Sequence, residues 1–124
     1  MAGSSIEVIV TLENPELSDE EIQVSVRTLR NQLAELEELQ DVMLLPVSEA
    51  LPGAKGIGGF VLGKLKALLN LDALKKMVGV LGQNLFGSSI EVEAKGNGRE
   101  LKIKIRTPED LQQVMPEVER FING

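Results

Sequence analysis

Ile90-Glu91-Val92-Glu93-Ala94-Lys95-Gly96-Asn97-Gly98-Arg99-Glu100-Leu101-Lys102-Ile103-Lys104-Ile105 is the stretch that decides the fold class. Apolar and charged residues alternate on both sides of Gly96-Asn97-Gly98, the pattern of two half-buried strands around a tight turn. With Asn97-Gly98 as a two-residue type I′ turn, positions whose numbers add to 195 face each other. Ile90 then meets Ile105, Val92 meets Ile103 and Ala94 meets Leu101 on one face. On the other, Glu91 meets Lys104, Glu93 meets Lys102 and Lys95 meets Glu100. Such pairs contribute about 0.2–1 kcal/mol each, and a slip of one residue would turn every apolar side chain outward.

Downstream of this hairpin, Thr107-Pro108-Glu109-Asp110 has a capping residue followed by proline at the first helical position, where a missing N–H costs nothing. Leu111, Val114, Met115, Val118, Phe121 and Ile122 give the helix an apolar face, and Pro116 inside it predicts a kink or division near Gln112–Met115. Upstream, Phe60–Leu69 and Asp72–Phe86 read as a pair of helices rich in glycine and leucine, with Asp72 as a cap and Gly87 as a stop. Before them, residues 51–59 carry Pro52, Gly53, Gly56, Gly58 and Gly59 and read as a loop or a glycine-rich helix start.

The N-terminal third begins with a strand through Ile6, Val8 and Val10, closed by Pro15. Ser18-Asp19-Glu20-Glu21 has the capping-box pattern, so a helix starts at Asp19. Ile22, Val26, Leu29, Leu33 and Leu36 form its core stripe while Arg27, Arg30 and Glu35 face water. Val42-Met43-Leu44-Leu45, stopped by Pro46, reads as a second strand. The order β-α-β-α-α-β-β-α predicts one α+β domain over residues 1–124, with helices on a four-stranded mixed sheet.

Composition bounds the function. The 124 residues contain no His, Cys, Trp or Tyr, which removes the side chains behind most acid–base, nucleophilic and transition-metal chemistry near neutral pH. No catalytic residue, cofactor site or metal site is assigned, and an enzyme working with carboxylates and lysines alone is the weakest reading. A net charge of −6 and only three aromatic residues, all Phe, disfavour nucleic acid as a partner. Absence of cysteine and of a leader pattern at Met1–Ser5 gives a cytoplasmic protein as the expectation.

Three patterns hint at more. Gly58-Gly59-Phe60-Val61-Leu62-Gly63-Lys64 matches the first seven positions of a phosphate-binding P-loop, but Leu65 stands where the magnesium-binding Ser or Thr belongs. Asp19-Glu20-Glu21 and Glu35, Glu37 and Glu38 are carboxylate clusters, better explained by a helix N-terminus and a solvated helix end than by metal binding. Gly59 and Gly63 form a small-xxx-small pair within an apolar segment over 57–86, read as core packing, a partner or self-association surface, or, with its lysines at headgroups, membrane contact.

The chain resembles the effector-associated constant component family of bacterial conflict (defence) systems. The resemblance runs from Ile6 to Ile122. It is carried by Leu45-Pro46-Val47, by Gly53-Ala54-Lys55-Gly56-Ile57-Gly58-Gly59-Phe60-Val61-Leu62-Gly63, by Leu81-Gly82, and by Ile90–Ala94 with Gly98 and Leu101–Lys104. It implies a non-catalytic adaptor encoded beside effectors such as peptidases and beside nucleotide-hydrolysing regulators, and supplies no catalytic positions; Pro116 departs from the uninterrupted final helix expected of it. The expected contact surface is Gly59, Phe60, Leu62 and Gly63. The alternative is a membrane-active or self-assembling module acting through the helical pair.

Overall fold

The computed structural model describes residues 5–50, 52–85, 87–96 and 98–124. Six strands and three helices follow in the order β1 (Ser5–Glu13), α1 (Asp19–Ala34), β2 (Leu39–Pro46), β3 (Gly56–Ile57), β4 (Phe60–Asn70), α2 (Leu74–Gln83), β5 (Ser89–Gly96), β6 (Arg99–Ile105) and α3 (Leu111–Asn123). The strands form one antiparallel sheet in the order β2-β4-β1-β5-β6, with the short β3 paired to the start of β4. This is an α+β fold, but its sheet is six-stranded and wholly antiparallel rather than four-stranded and mixed.

Two added strands make the difference: Gly56–Ile57, expected within a loop or a glycine-rich helix start, is β3, and the next segment is β4. Phe60–Asn70 is a strand, not the helix its leucine spacing suggests, and its burial alternates along its whole length. Val61, Gly63, Leu65, Ala67 and Leu69 are buried while Leu62, Lys64, Lys66 and Leu68 are half-exposed. Pairing on both sides, Val10 to Leu65 from β1 and Leu44 to Leu65 from β2, satisfies a backbone that would otherwise have been served by helix hydrogen bonds. The glycine-rich helical pair is therefore a strand followed by one short helix. Asp72 lies within a 3-10 turn that leads into α2 and does not cap it, and α2 ends at Gln83, before Gly87. Phe86, expected to close that helix, and Asn97, expected in the hairpin turn, lie outside the described residues.

Setting β3 and β6 aside, the chain order β1-α1-β2-β4-α2-β5 is the split βαβ arrangement of ferredoxin-like domains. Each crossover skips one strand, so β4 enters between β1 and β2, and β1 between β4 and β5. All three helices pack on one face: α1 over β2 and β4, α3 over β6, and α2 against both helices. The core between the layers joins Ile6, Val8 and Val10 of β1 to Leu65 and Leu69 of β4, Ile90 and Val92 of β5, Val26 and Leu33 of α1, Met77 and Leu81 of α2, and Val118 of α3. Gly82 lets α2 and α3 approach closely, since a Cβ there would sit 2.6 Å from Leu111.

The hairpin register is the expected one at every described pair, from Ile90 opposite Ile105 to Gly96 opposite Arg99. Its ion pairs are less direct. Lys95 meets Glu100, but Lys102 reaches diagonally to Glu91 and Lys104 crosses to Glu13 at the end of β1. Strand twist brings diagonal neighbours within reach of long side chains. Ser18 and Glu21 close the expected capping box on α1, and Thr107 and Asp110 form a second one before α3. Pro116 lies inside a continuous α3; the division expected near Gln112–Met115 does not occur, and the 3-10 to α transition falls earlier, at Asp110–Leu111.

Candidate functional site

The four residues expected to form a contact surface are adjacent in sequence but do not share one environment. Gly58 and Gly59, both in the left-handed region at φ +60° and +87°, make the exposed turn between β3 and β4. Phe60 and Leu62 are half-buried, and the Leu62 N–H donates to the Lys55 carbonyl at 2.8 Å. Gly63 is buried and belongs to the interior: at φ +73° it sits against β1, where a Cβ would lie 2.8 Å from the Leu12 carbonyl oxygen. Its N–H donates to Oε1 of Gln23 in α1 at 3.0 Å.

Gln23 was not visible as a special residue in the sequence. It is 2% exposed, and it supplies the acceptor that the distorted start of β4 denies to Gly63. The distortion is large. Between Leu44 opposite Leu65 and Pro46 opposite Phe60, β2 advances two residues while β4 advances five. Gly63 and Gln23 together hold this bulge, and the bulge in turn sets Phe60 beside β2.

Phe60 lines a cleft of about 300 Å³ with Met43, Leu44 and Pro46 of β2 and Arg27 and Arg30 of α1. The floor is apolar and two guanidinium groups stand beside it. Neither arginine makes a salt bridge among the described residues; Arg30 donates from Nη2 to Asn31 at 2.7 Å, and its Nε is buried without an acceptor. Both were read from sequence only as solvated positions. The available signal was the lack of any acidic residue three or four positions away on α1. The cleft runs along β2, an edge strand whose outer backbone groups meet no other strand among the described residues.

Four titratable groups elsewhere are held in their charged forms by local partners. Glu21 is held below its usual range by the Ser18 backbone N–H and then its hydroxyl, and Asp110 by the N–H groups of Arg106 and Thr107. Lys76 lowers the Glu38 carboxyl, and Glu49 raises the Lys66 ammonium. Each of these shifts favours the charged form, the opposite of a group poised to exchange a proton near neutral pH.

The P-loop-like residues also have other tasks. Gly58-Gly59 is a hairpin turn, no helix follows to present its N-terminus to phosphate, and Lys64 donates from β4 to Thr11 Oγ1 at 2.7 Å. Asp19 is paired with Lys55 at 2.6 Å and Glu38 with Lys76 at 2.6 Å. Among the described residues no group of carboxylates is placed to hold a metal ion, and no helix is long and apolar enough to cross a membrane. The chain matches no protein-family model and no curated protein sequence.

Proposed function

We propose that this protein is a non-enzymatic adaptor of a bacterial conflict system, coupling a sensor or nucleotide-hydrolysing regulator to an effector such as a peptidase through protein contacts in the cytoplasm. The observation that carries this reading is the β2 edge: a strand paired on its inner side only among the described residues, flanked by a half-buried Phe60 and two arginines without salt-bridge partners there. The conflict-system context comes from the resemblance in the Gly53–Gly63 and Ile90–Lys104 segments. The residue inventory, free of His and Cys, is compatible with a role played by surfaces rather than by bond chemistry.

Within this reading Gly59, Phe60 and Leu62 form the contact region and Gly63 supports it from behind. The helical pair invoked for a membrane-active module is absent, since its first half is β4. Self-association through the free edge remains the competing use of the same surface.

Affinity purification of the tagged protein from its native cells, with stoichiometry of what co-elutes, tests the proposal. A stoichiometric peptidase or nucleotide-hydrolysing protein, lost when Phe60→Ser is used and the variant still melts cooperatively, is the expected result. Recovery of the protein alone, or with lipid, overturns it.

A further inference from the structure

We infer that the β2 edge takes up a short, extended, acidic peptide segment of a partner protein, as an added strand whose carboxylates meet Arg27 and Arg30 and whose apolar side chain enters the Phe60 cleft. This rests on the adaptor reading and gives its partner a chemistry.

Three features converge at this edge. First, the strand itself: between register shifts at Leu39/Asp41 and Leu44/Pro46, residues Asp41–Leu44 pair regularly with β4, and their outer N–H and C=O groups meet no other strand among the described residues. Such a row accepts a strand through backbone hydrogen bonds, while alternate side chains of the added strand supply specificity. Second, charge: the chain carries −6 overall, and among the described residues seven of its eight lysines but none of its five arginines are engaged in salt bridges; Arg27 and Arg30 are the two of these that line the cleft beside β2. Guanidinium groups bind carboxylates in a two-point fork, so this pair favours an acidic strand. Third, Leu44, Pro46 and Phe60 give the cleft an apolar floor that fits an aliphatic side chain beside those carboxylates, while Met43, on the pleat shared with Asp41, adds apolar surface at its rim.

The same charges decide against the simplest alternative. A second copy pairing β2 to β2 in antiparallel fashion would bring four arginines, two from each α1, to one seam. The short regular window also suits a peptide better than a long continuous sheet, because the bulges and Pro46 blunt both of its ends.

The probe is an acetylated, amidated peptide with the sequence Thr-Leu-Thr-Glu-Thr-Glu, which sets leucine and both glutamates on one face and neutral threonines on the face shared with Asp41. Titrated into the full chain labelled with 15N, it is expected to shift the amides of Asp41–Leu44 and the Nε–H signals of Arg27 and Arg30, saturably. A lysine-for-glutamate peptide should leave them in place. Arg27→Glu, at an exposed position, should weaken binding about tenfold with unchanged melting. Met43→Glu sets a carboxylate on the edge without touching either arginine and should weaken binding as well.

Absence of β2 shifts, equal binding of the lysine peptide, or undiminished binding by Arg27→Glu overturns the inference. So does a concentration-dependent dimer that shows the β2 shifts without peptide, which assigns the edge to a second copy. Failure is separable from failure of the adaptor reading: a stoichiometric cellular partner retained by Arg27→Glu leaves the adaptor and removes the acidic strand. A peptide that binds β2 while no cellular partner co-elutes does the reverse.

Discussion

The two edges of the sheet are protected in different ways. Along β6, Glu100, Lys102 and Lys104 are exposed at alternate positions, so charge guards the whole strand, and Arg99 is tied to the Phe121 carbonyl of α3. Along β2, Asp41 is the one charged residue, and protection is concentrated in the irregular ends of the strand. Charge spread along an edge discourages any added strand, whereas bulges at the ends limit how long an added strand can be. Charge lies along the whole of one edge, and irregularity only at the ends of the other.

The largest expected effect bears on how each edge is anchored. Leu65, on β4 between β1 and β2, is fully buried, and Leu65→Ala should cost about 3–4 kcal/mol by chemical denaturation. Leu101 of β6 is 8% exposed, and Leu101→Ala should cost less, about 2 kcal/mol. Equal losses would show that the two edges are held with the same strength. Next comes Gly63→Ala, which places a Cβ against the Leu12 carbonyl in a left-handed backbone and should cost about 1–3 kcal/mol while disturbing the amides of β2 more than those of β6. A uniform disturbance across the sheet would break the assignment of Gly63 to the β2 side.

The smallest effect is a pH dependence next to β6. Two backbone N–H groups hold the folded Asp110 carboxyl below its ordinary value of 3.8, so its contribution is present above that value and disappears as pH falls through the lower, folded value. Asp110→Asn should therefore be less stable than the parent at neutral pH, and the two melting curves should converge in strong acid. Curves that stay apart at the lowest pH would mean that the side chain acts through packing instead of charge.

Much of the β6 side could be read from sequence, and the β2 side could not. In Ser89–Ile105 the inward positions are mostly β-branched and the outward ones charged, so propensity and pattern agree. In Phe60–Asn70, Val61, Leu62, Leu65, Leu68 and Leu69 fit a helical stripe, and Leu, Lys and Ala all favour helices. Only the partners on both flanks make it a strand, and those lie far away in the chain. The contact region inherited this difficulty. Phe60 was legible as a candidate, but the cleft that gives it neighbours depends on a bulge and on Gln23 and Arg30 from a separate helix. A glutamine beside an apolar stripe and two arginines without acids carry no meaning until β4 is placed.

The insertion of β4 between β1 and β2 also dictates when the sheet can exist at all. As the chain leaves the ribosome, β1 and β2 are made first, yet neither is the other's neighbour, and both pair with β4. Until residues 60–70 emerge, α1 has no sheet to cover, and β1 gains its second partner only with β5. Assembly thus waits on contacts distant in sequence, a topology that slows folding and leaves the early strands uncovered during synthesis. The strand whose identity was hardest to read is the one whose arrival first joins β1 to β2.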